Sequence, residues 1–185
     1  TLQQQVARPL LIGADIERGV GQQIHGAPLF PHARAIAASG RSGTEAFARI
    51  LAREALAAGI HMAFMPVADV NSHPRNPIIG IRAFGTSAAT VAPHVQAFVQ
   101  VCEAEGLMAT AKHFPGHGNT DVDSHAELPI VSTPVDDLLR HDLPAFQAAI
   151  DAGVSAVMTA HVAFPALDPS GTPATRSVPI LTDWL

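Results

Sequence analysis

Gly59, Gly106 and Gly153 set the frame of this chain. Each closes a stretch whose apolar residues recur at helical spacing, and a short apolar run follows each one almost at once. Glycine adopts the left-handed turn that ends a helix, so each marks a helix stop with a strand start directly behind it. The connections in the other direction are long: residues 15 to about 43, 68–86, 112–132 and 161–178. Strands with tight turns at one end and long loops at the other belong to a β/α architecture whose working face lies at the strands' C-terminal ends.

The elements follow from periodicity. Pro9 to Ala14 is an apolar run ending at Asp15 and reads as a buried strand. Thr44 is the expected cap of a helix through Ala58, with Phe47, Ile50, Leu51 and Ala55 on one face. Ile60 to Val67 reads as the second strand. Ser87 opens a helix with the stripe Val91, Val95, Phe98 and Cys102, and Leu107 to Ala111 is the third strand, leading into Lys112. Thr133 with Pro134 starts a helix that runs to Gly153 and kinks at Pro144; Val154 to Ala160 is the fourth strand, and Pro179 begins a further helix.

Alternating strands and helices imply a parallel sheet with right-handed crossovers. A dinucleotide-binding open sheet would show the same loop asymmetry, but the chain has no G-x-G-x-x-G turn. The expected fold is therefore α/β of the (β/α)8 TIM-barrel type. With four clear strands against eight in a closed barrel of about 250 residues, residues 1–185 read as a partial barrel of four to five β/α units and one domain.

Composition narrows the partners. Charged residues make up 15% of the 185 and are not clustered into a basic patch, so nucleic acid is an unsuitable ligand. No apolar run approaches a membrane span. The single cysteine, Cys102, stands among Val99 and Val101 and reads as a buried thiol. No signal peptide is visible, but the chain opens at Thr1 and runs directly towards a strand. That start reads as a missing N-terminal piece and leaves the compartment open, with the cytoplasm favoured. Nothing bears on oligomeric state.

Four strand ends carry polar groups to one rim: Asp15, Asp69 with Asn71, Lys112 with His113, and His161. Singly, each has an ordinary explanation: Asp15 as a loop cap, Lys112 as a surface lysine, His161 as a core histidine. Stability does not ask for polar groups at all four ends. The densest stretch is Lys112-His113-Phe114-Pro115-Gly116-His117-Gly118, followed by Asp121, Asp123 and His125. Its histidines and carboxylates lack a helical H-x-x-x-H frame, since Pro115, Gly116 and Gly118 break a helix, and no cysteine assists. No metal or cofactor is expected. Acid–base chemistry suits the stretch better: Asp123 can hold one nitrogen of the His125 imidazole and leave the other facing a substrate. The plainer alternative is that His125 caps a loop.

The heptapeptide Lys112–Gly118 with Asp123-Ser124-His125 resembles the signature of glycoside hydrolase family 3, in its β-N-acetylglucosaminidase branch. Further matches are Leu11–Gly19, Pro66–Asn71, Asn76–Ile79, Arg82–Gly85, Val157–His161 and Pro173–Thr175. The resemblance implies that Asp15, Arg82, Lys112 and His113 hold the hydroxyls of the sugar being cleaved. It also implies that His125 is the general acid/base and Asp123 its orienting partner. The implied activity is retaining, exo-acting hydrolysis of terminal β-linked N-acetylglucosamine from peptidoglycan-derived or similar oligosaccharides. The family's nucleophile, an aspartate ending the next strand, is expected beyond Leu185, since Asp183 falls at a helix start. On that expectation residues 1–185 alone are inactive. Gln23 departs from the arginine that many relatives carry. Two other functions fit the same residues: a β-glycoside phosphorylase, in which a histidine tolerates an incoming phosphate, and a non-catalytic carbohydrate-binding protein.

Overall fold

The computed structural model describes residues 2–120 and 128–185. After a short helix α1 (Leu2–Gln5), the strands β1 (Gly13–Ala14), β2 (Met62–Ala63), β3 (Met108–Phe114) and β4 (Ala156–Thr159) form one parallel sheet in the order β1-β2-β3-β4. Gly13 pairs with Met62, Ala63 with Ala109, and Lys112 with Met158. A doubly wound sheet reverses its strand order at a switch point; this one advances by one strand at each crossover, as a β/α barrel does. Helices α2 (Ala33–Ala37) and α3 (Gly40–Ala57) join β1 to β2, α4 (Ala88–Glu105) joins β2 to β3, and α5 (Val135–His141) with α6 (Leu143–Asp151) joins β3 to β4. The molecule is thus a partial barrel of the TIM type.

Parallel strands bury their faces under the crossover helices, and the helical stripes supply the cover. Val91, Val95, Phe98 and Cys102 of α4 are all buried, as are Phe47, Ala48, Leu51, Ala52 and Ala55 of α3. The Phe47 ring lies 6.1 Å from that of Phe98 and 5.0 Å from that of Phe30, so the α3–α4 contact has an aromatic centre. At the strands' N-terminal ends, Glu103 accepts from Ala109 N and Ser155 N, both at 2.9 Å, and clips β3 to β4. No helix among the described residues is long and apolar enough to cross a membrane.

Several elements differ from the sequence reading. The Pro9–Ala14 run is a sheet edge rather than a buried strand: it pairs over two residues only, and Leu11 is 60% exposed. Helix α3 starts before Thr44, which is not a cap. Thr44 is buried in the helix body with its Oγ1 2.8 Å from His94 Nδ1 on α4. Ile50 is 44% exposed, because the face defined by Phe47, Ala48, Leu51 and Ala55 leaves it on the outer side at 100° per residue. Strand β3 continues to Phe114, so Lys112 and His113 lie within it rather than after it. The expected kink at Pro144 is a full break: α5 ends at His141, and Pro144 sits in the first turn of α6, where a missing N–H costs nothing. The residues after Pro179 form a single π-type turn, Ile180–Trp184.

The packing sets an expected contrast in stability. Phe98→Ala should cost about 3–5 kcal/mol as a core truncation, whereas Ile50→Ala should stay within about 0.5 kcal/mol as a surface change. Chemical denaturation of the full-length protein reads both, and equal losses would contradict the assignment of faces.

Candidate active site

Lys112 organises the rim. Its strand places the side chain inside the sheet, where it is 1% exposed, and a buried ammonium is stable only when paired. Its Nζ lies 2.7 Å from Asp15 Oδ1 and 2.8 Å from Glu17 Oε1, on the loop that leaves β1. Arg82 approaches Glu17 from the other side with a bidentate fork, Nε to Oε2 at 2.9 Å and Nη2 to Oε1 at 2.7 Å. Burial opposes the Glu17 charge, but the Arg82 hydrogen bonds and the two facing cations outweigh it and hold its carboxyl at about 2. Arg82 is fixed in turn. Its Nη1 donates to Ile78 O at 2.9 Å, and Asn76 Oδ1 accepts from the Ile78 and Ile79 amides at 2.9 and 2.8 Å. Asn76 Nδ2 donates to His117 O at 2.9 Å and so joins the loops after β2 and β3.

Asp69 does not stand on the rim, as its position after the second strand suggested; it is 0% exposed beneath it. Its Oδ1 accepts from His117 N at 2.7 Å and His113 N at 3.2 Å, and its Oδ2 lies 2.7 Å from His113 Nδ1. Burial works against its charge, yet the His113 imidazole and these hydrogen bonds hold its carboxyl below the usual carboxylate range. An ionised Asp69 keeps the proton of His113 on Nδ1 and leaves Nε2 as the ring nitrogen for the cavity. His117 packs edge-on against His113 with centroids 5.9 Å apart, and burial pushes its imidazole down, against the pull of Asp69. The loop passes tightly beneath: a side chain on Gly118 would meet Val70 O at 1.8 Å, which leaves room for glycine alone.

Asp15, Arg82, Lys112, His113 and His161 line one cavity of about 520 Å³, although β1 and β4 are far apart in sequence. Glu17, Arg18, Gln22, His32, Ile78, His117 and Met158 complete its wall. His161 is turned by Thr175, whose Oγ1 lies 2.8 Å from its Nδ1. Asp123 and His125 lie outside the described residues. Among the described residues no three His, Cys, Asp or Glu side chains are grouped to hold a metal ion. Cys102 is buried, and burial pushes its thiol up.

Sequence reasoning passed over Glu17, Asn76 and Asp142. Glu17 had a detectable signal, since Asp15 and Glu17 are two apart at a strand end and project to the same side. Asp142, between α5 and α6, had none. It is 4% exposed, its Oδ1 has no hydrogen-bond partner, and a side chain on Gly116 would meet that oxygen at 2.9 Å. Burial, and then the charge of Asp69, push its carboxyl up to about 7.

The fold and the site define a β/α-barrel protein whose carboxylates and anchored cations gather around one polar cavity at the C-terminal ends of the strands. The chain belongs to glycosyl hydrolase family 3: the model of that family's N-terminal domain matches residues 1–185. It is 40% identical over 167 residues to the β-N-acetylglucosaminidase/β-glucosidase of Cellulomonas fimi, covering 90% of this chain and 30% of that protein. It is 44% identical over 124 residues to a β-hexosaminidase of Xanthomonas campestris, covering 67% and 37%. Among solved structures it resembles the family 3 β-N-acetylglucosaminidase of Paenibacillus sp. str. FPU-7, with a TM-score of 0.90, 41% identity, and 97% and 35% of the two chains covered. The β-glucoside phosphorylase BglX shares the fold with a TM-score of 0.93 at 26% identity, covering all of this chain and 36% of its own. The chain spans between 25% and 52% of the length of the curated relatives it matches.

The raised Asp142 carboxyl gives stability a specific pH dependence. Between the ordinary 3.8 and about 7 the folded state keeps a proton that the unfolded state releases, so stability falls as pH rises through that window. Glu17 acts in the opposite sense: its depressed value contributes stability that is present above 4.5 and is lost as pH falls towards about 2. Thermal melts of wild type should therefore drop between about pH 4.5, above which Glu17 no longer opposes the trend, and about pH 7, and Asp142→Asn should flatten that slope. Identical slopes would show that Asp142 is ionised throughout.

Proposed function

We propose that this chain forms the sugar-holding part of a retaining, exo-acting glycoside hydrolase that removes terminal β-linked N-acetylglucosamine. Residues 1–185 would form part of its catalytic barrel domain. The observation that carries the reading is the clamp of Asp15, Lys112 and Arg82 around one cavity, in a chain 40% identical to a β-N-acetylglucosaminidase/β-glucosidase. Asp15 is partly exposed and accepts hydroxyl protons; the Lys112 ammonium and the His113 Nε2 complete the set of polar contacts for a pyranose ring. Asp15 and Glu17 are both tied to cations, which suits binders and leaves neither as a free nucleophile. The attacking carboxylate is assigned to an aspartate outside residues 1–185.

In this mechanism the aspartate attacks the anomeric carbon while His125, oriented by Asp123, protonates the departing glycosidic oxygen. Water then attacks the glycosyl-enzyme, and His125 takes its proton. Asp69 does not touch substrate; it fixes His113 and the His117 backbone.

The test is a leaving-group series on the full-length protein. General acid help contributes a factor of about 10²–10⁴, and a poor leaving group needs it more than an activated aryl group does. His125→Ala should cripple oligosaccharide cleavage, yet spare the first step with activated aryl glycosides, so that the covalent intermediate accumulates. Equal slowing for good and poor leaving groups would move the acid/base role to another residue.

A further inference from the structure

Three fixed cations reach the cavity, and two are already neutralised. Lys112 is paired with Asp15 and Glu17, and Arg82 is forked onto Glu17. Arg18 has no carboxylate partner among the described residues, yet its guanidinium is held in place. Its Nε donates to Phe30 O at 2.9 Å, and Phe30 N donates back to Arg18 O at 2.8 Å. This reciprocal clasp is anchored in the core through the Phe30–Phe47 ring contact. Gly19 packs against the same ring, where a side chain would come within 2.8 Å of it, and Gln22 Oε1 accepts from Arg18 N. The anchoring uses Nε and leaves the two Nη groups for a ligand. His32, two residues beyond Phe30, and Gln22, which holds the Arg18 backbone, line the same cavity.

A lone arginine with its side chain pinned and its terminal nitrogens uncommitted is prepared for a planar or tetrahedral oxyanion, which it meets with two parallel hydrogen bonds. The charge balance points the same way: Asp15 and Glu17 answer Lys112 and Arg82, and Arg18 is left over. We propose that Arg18, with Gln22 and His32, forms an oxyanion subsite beside the sugar clamp. It takes either a carboxylate carried by the group to which the sugar is joined or inorganic phosphate from solution. The subsite rests on the hydrolase reading only in that the clamp beside it holds the sugar.

The experiment uses the full-length protein with a β-N-acetylglucosaminide whose aglycone bears a carboxylate, its carboxamide counterpart, and inorganic phosphate. A charge-assisted pair should favour the carboxylate about tenfold or more in kcat/KM. Arg18→Gln should bring that ratio close to one, and Arg18→Lys should keep part of it; a melt for each variant shows whether it is folded. Release of a sugar phosphate in proportion to added phosphate, lost in Arg18→Gln, would identify phosphate as the occupant. A wild-type ratio near one with no phosphate effect overturns the subsite, as does a ratio that survives Arg18→Gln. If no glycoside is cleaved at all, the hydrolase reading fails separately. Calorimetric binding of the same three compounds then decides the subsite by the same ratio.

Discussion

The Lys112 ammonium is the constraint on which the rest of the rim depends. A charge that is 1% exposed must be matched nearby, and its partners are 97 and 95 positions earlier in the chain, at Asp15 and Glu17. Meeting that requirement draws the loop after β1 over the end of β3. Glu17 then needs more than one cation to stay ionised under burial, which brings in Arg82 and the loop after β2. The sheet sets the positions of the strand ends, and charge pairing decides how the loops above them close.

A second carboxylate does for the backbone what the first network does for side chains. Asp69 gathers two amides and one imidazole nitrogen of the 113–117 segment and leaves the other nitrogen of His113 facing the cavity. Asp142 packs beneath the same segment from the α5–α6 break, where a second negative charge would compete with Asp69. The site therefore has a layered order: ligand-facing groups above, an ionised anchor beneath them, and a carboxyl that favours its protonated form beneath that. Asp69 ties the upper layer down through three contacts with the 113–117 segment, two amides and one imidazole nitrogen.

Much of this was legible before any coordinates. Gly106 and Gly153 are local signals, since a positive φ past a helix is a single-residue requirement, and both have it at 89° and 83°. The α4 stripe was legible because all four of its apolar positions face the core. What failed was context. Thr44 has the chemistry of a helix cap, but its hydroxyl found His94 on another helix instead. Ile50 is apolar yet falls outside the narrow face that α4 covers, and Leu11 has no neighbour strand on its outer side among the described residues. In the site, residue types at the strand ends were readable, whereas partners 44 to 97 positions away were not. Glu17 and Asp142 matter through those distant partners. The Asp123–His125 pair carries the proposed chemistry and is read from its two-residue spacing and from the family motif.

The central claim is that the pairs built on Lys112 present a clamp for a pyranose ring. A crystal structure of the full-length protein with N-acetylglucosamine tests it most directly. The account predicts a sugar in the cavity with ring hydroxyls within hydrogen-bond reach of the Asp15 carboxylate, the Lys112 ammonium and His113 Nε2, and with the Glu17–Arg82 fork intact. A sugar bound elsewhere, or one in this cavity that touches neither Asp15 nor Lys112, would contradict it.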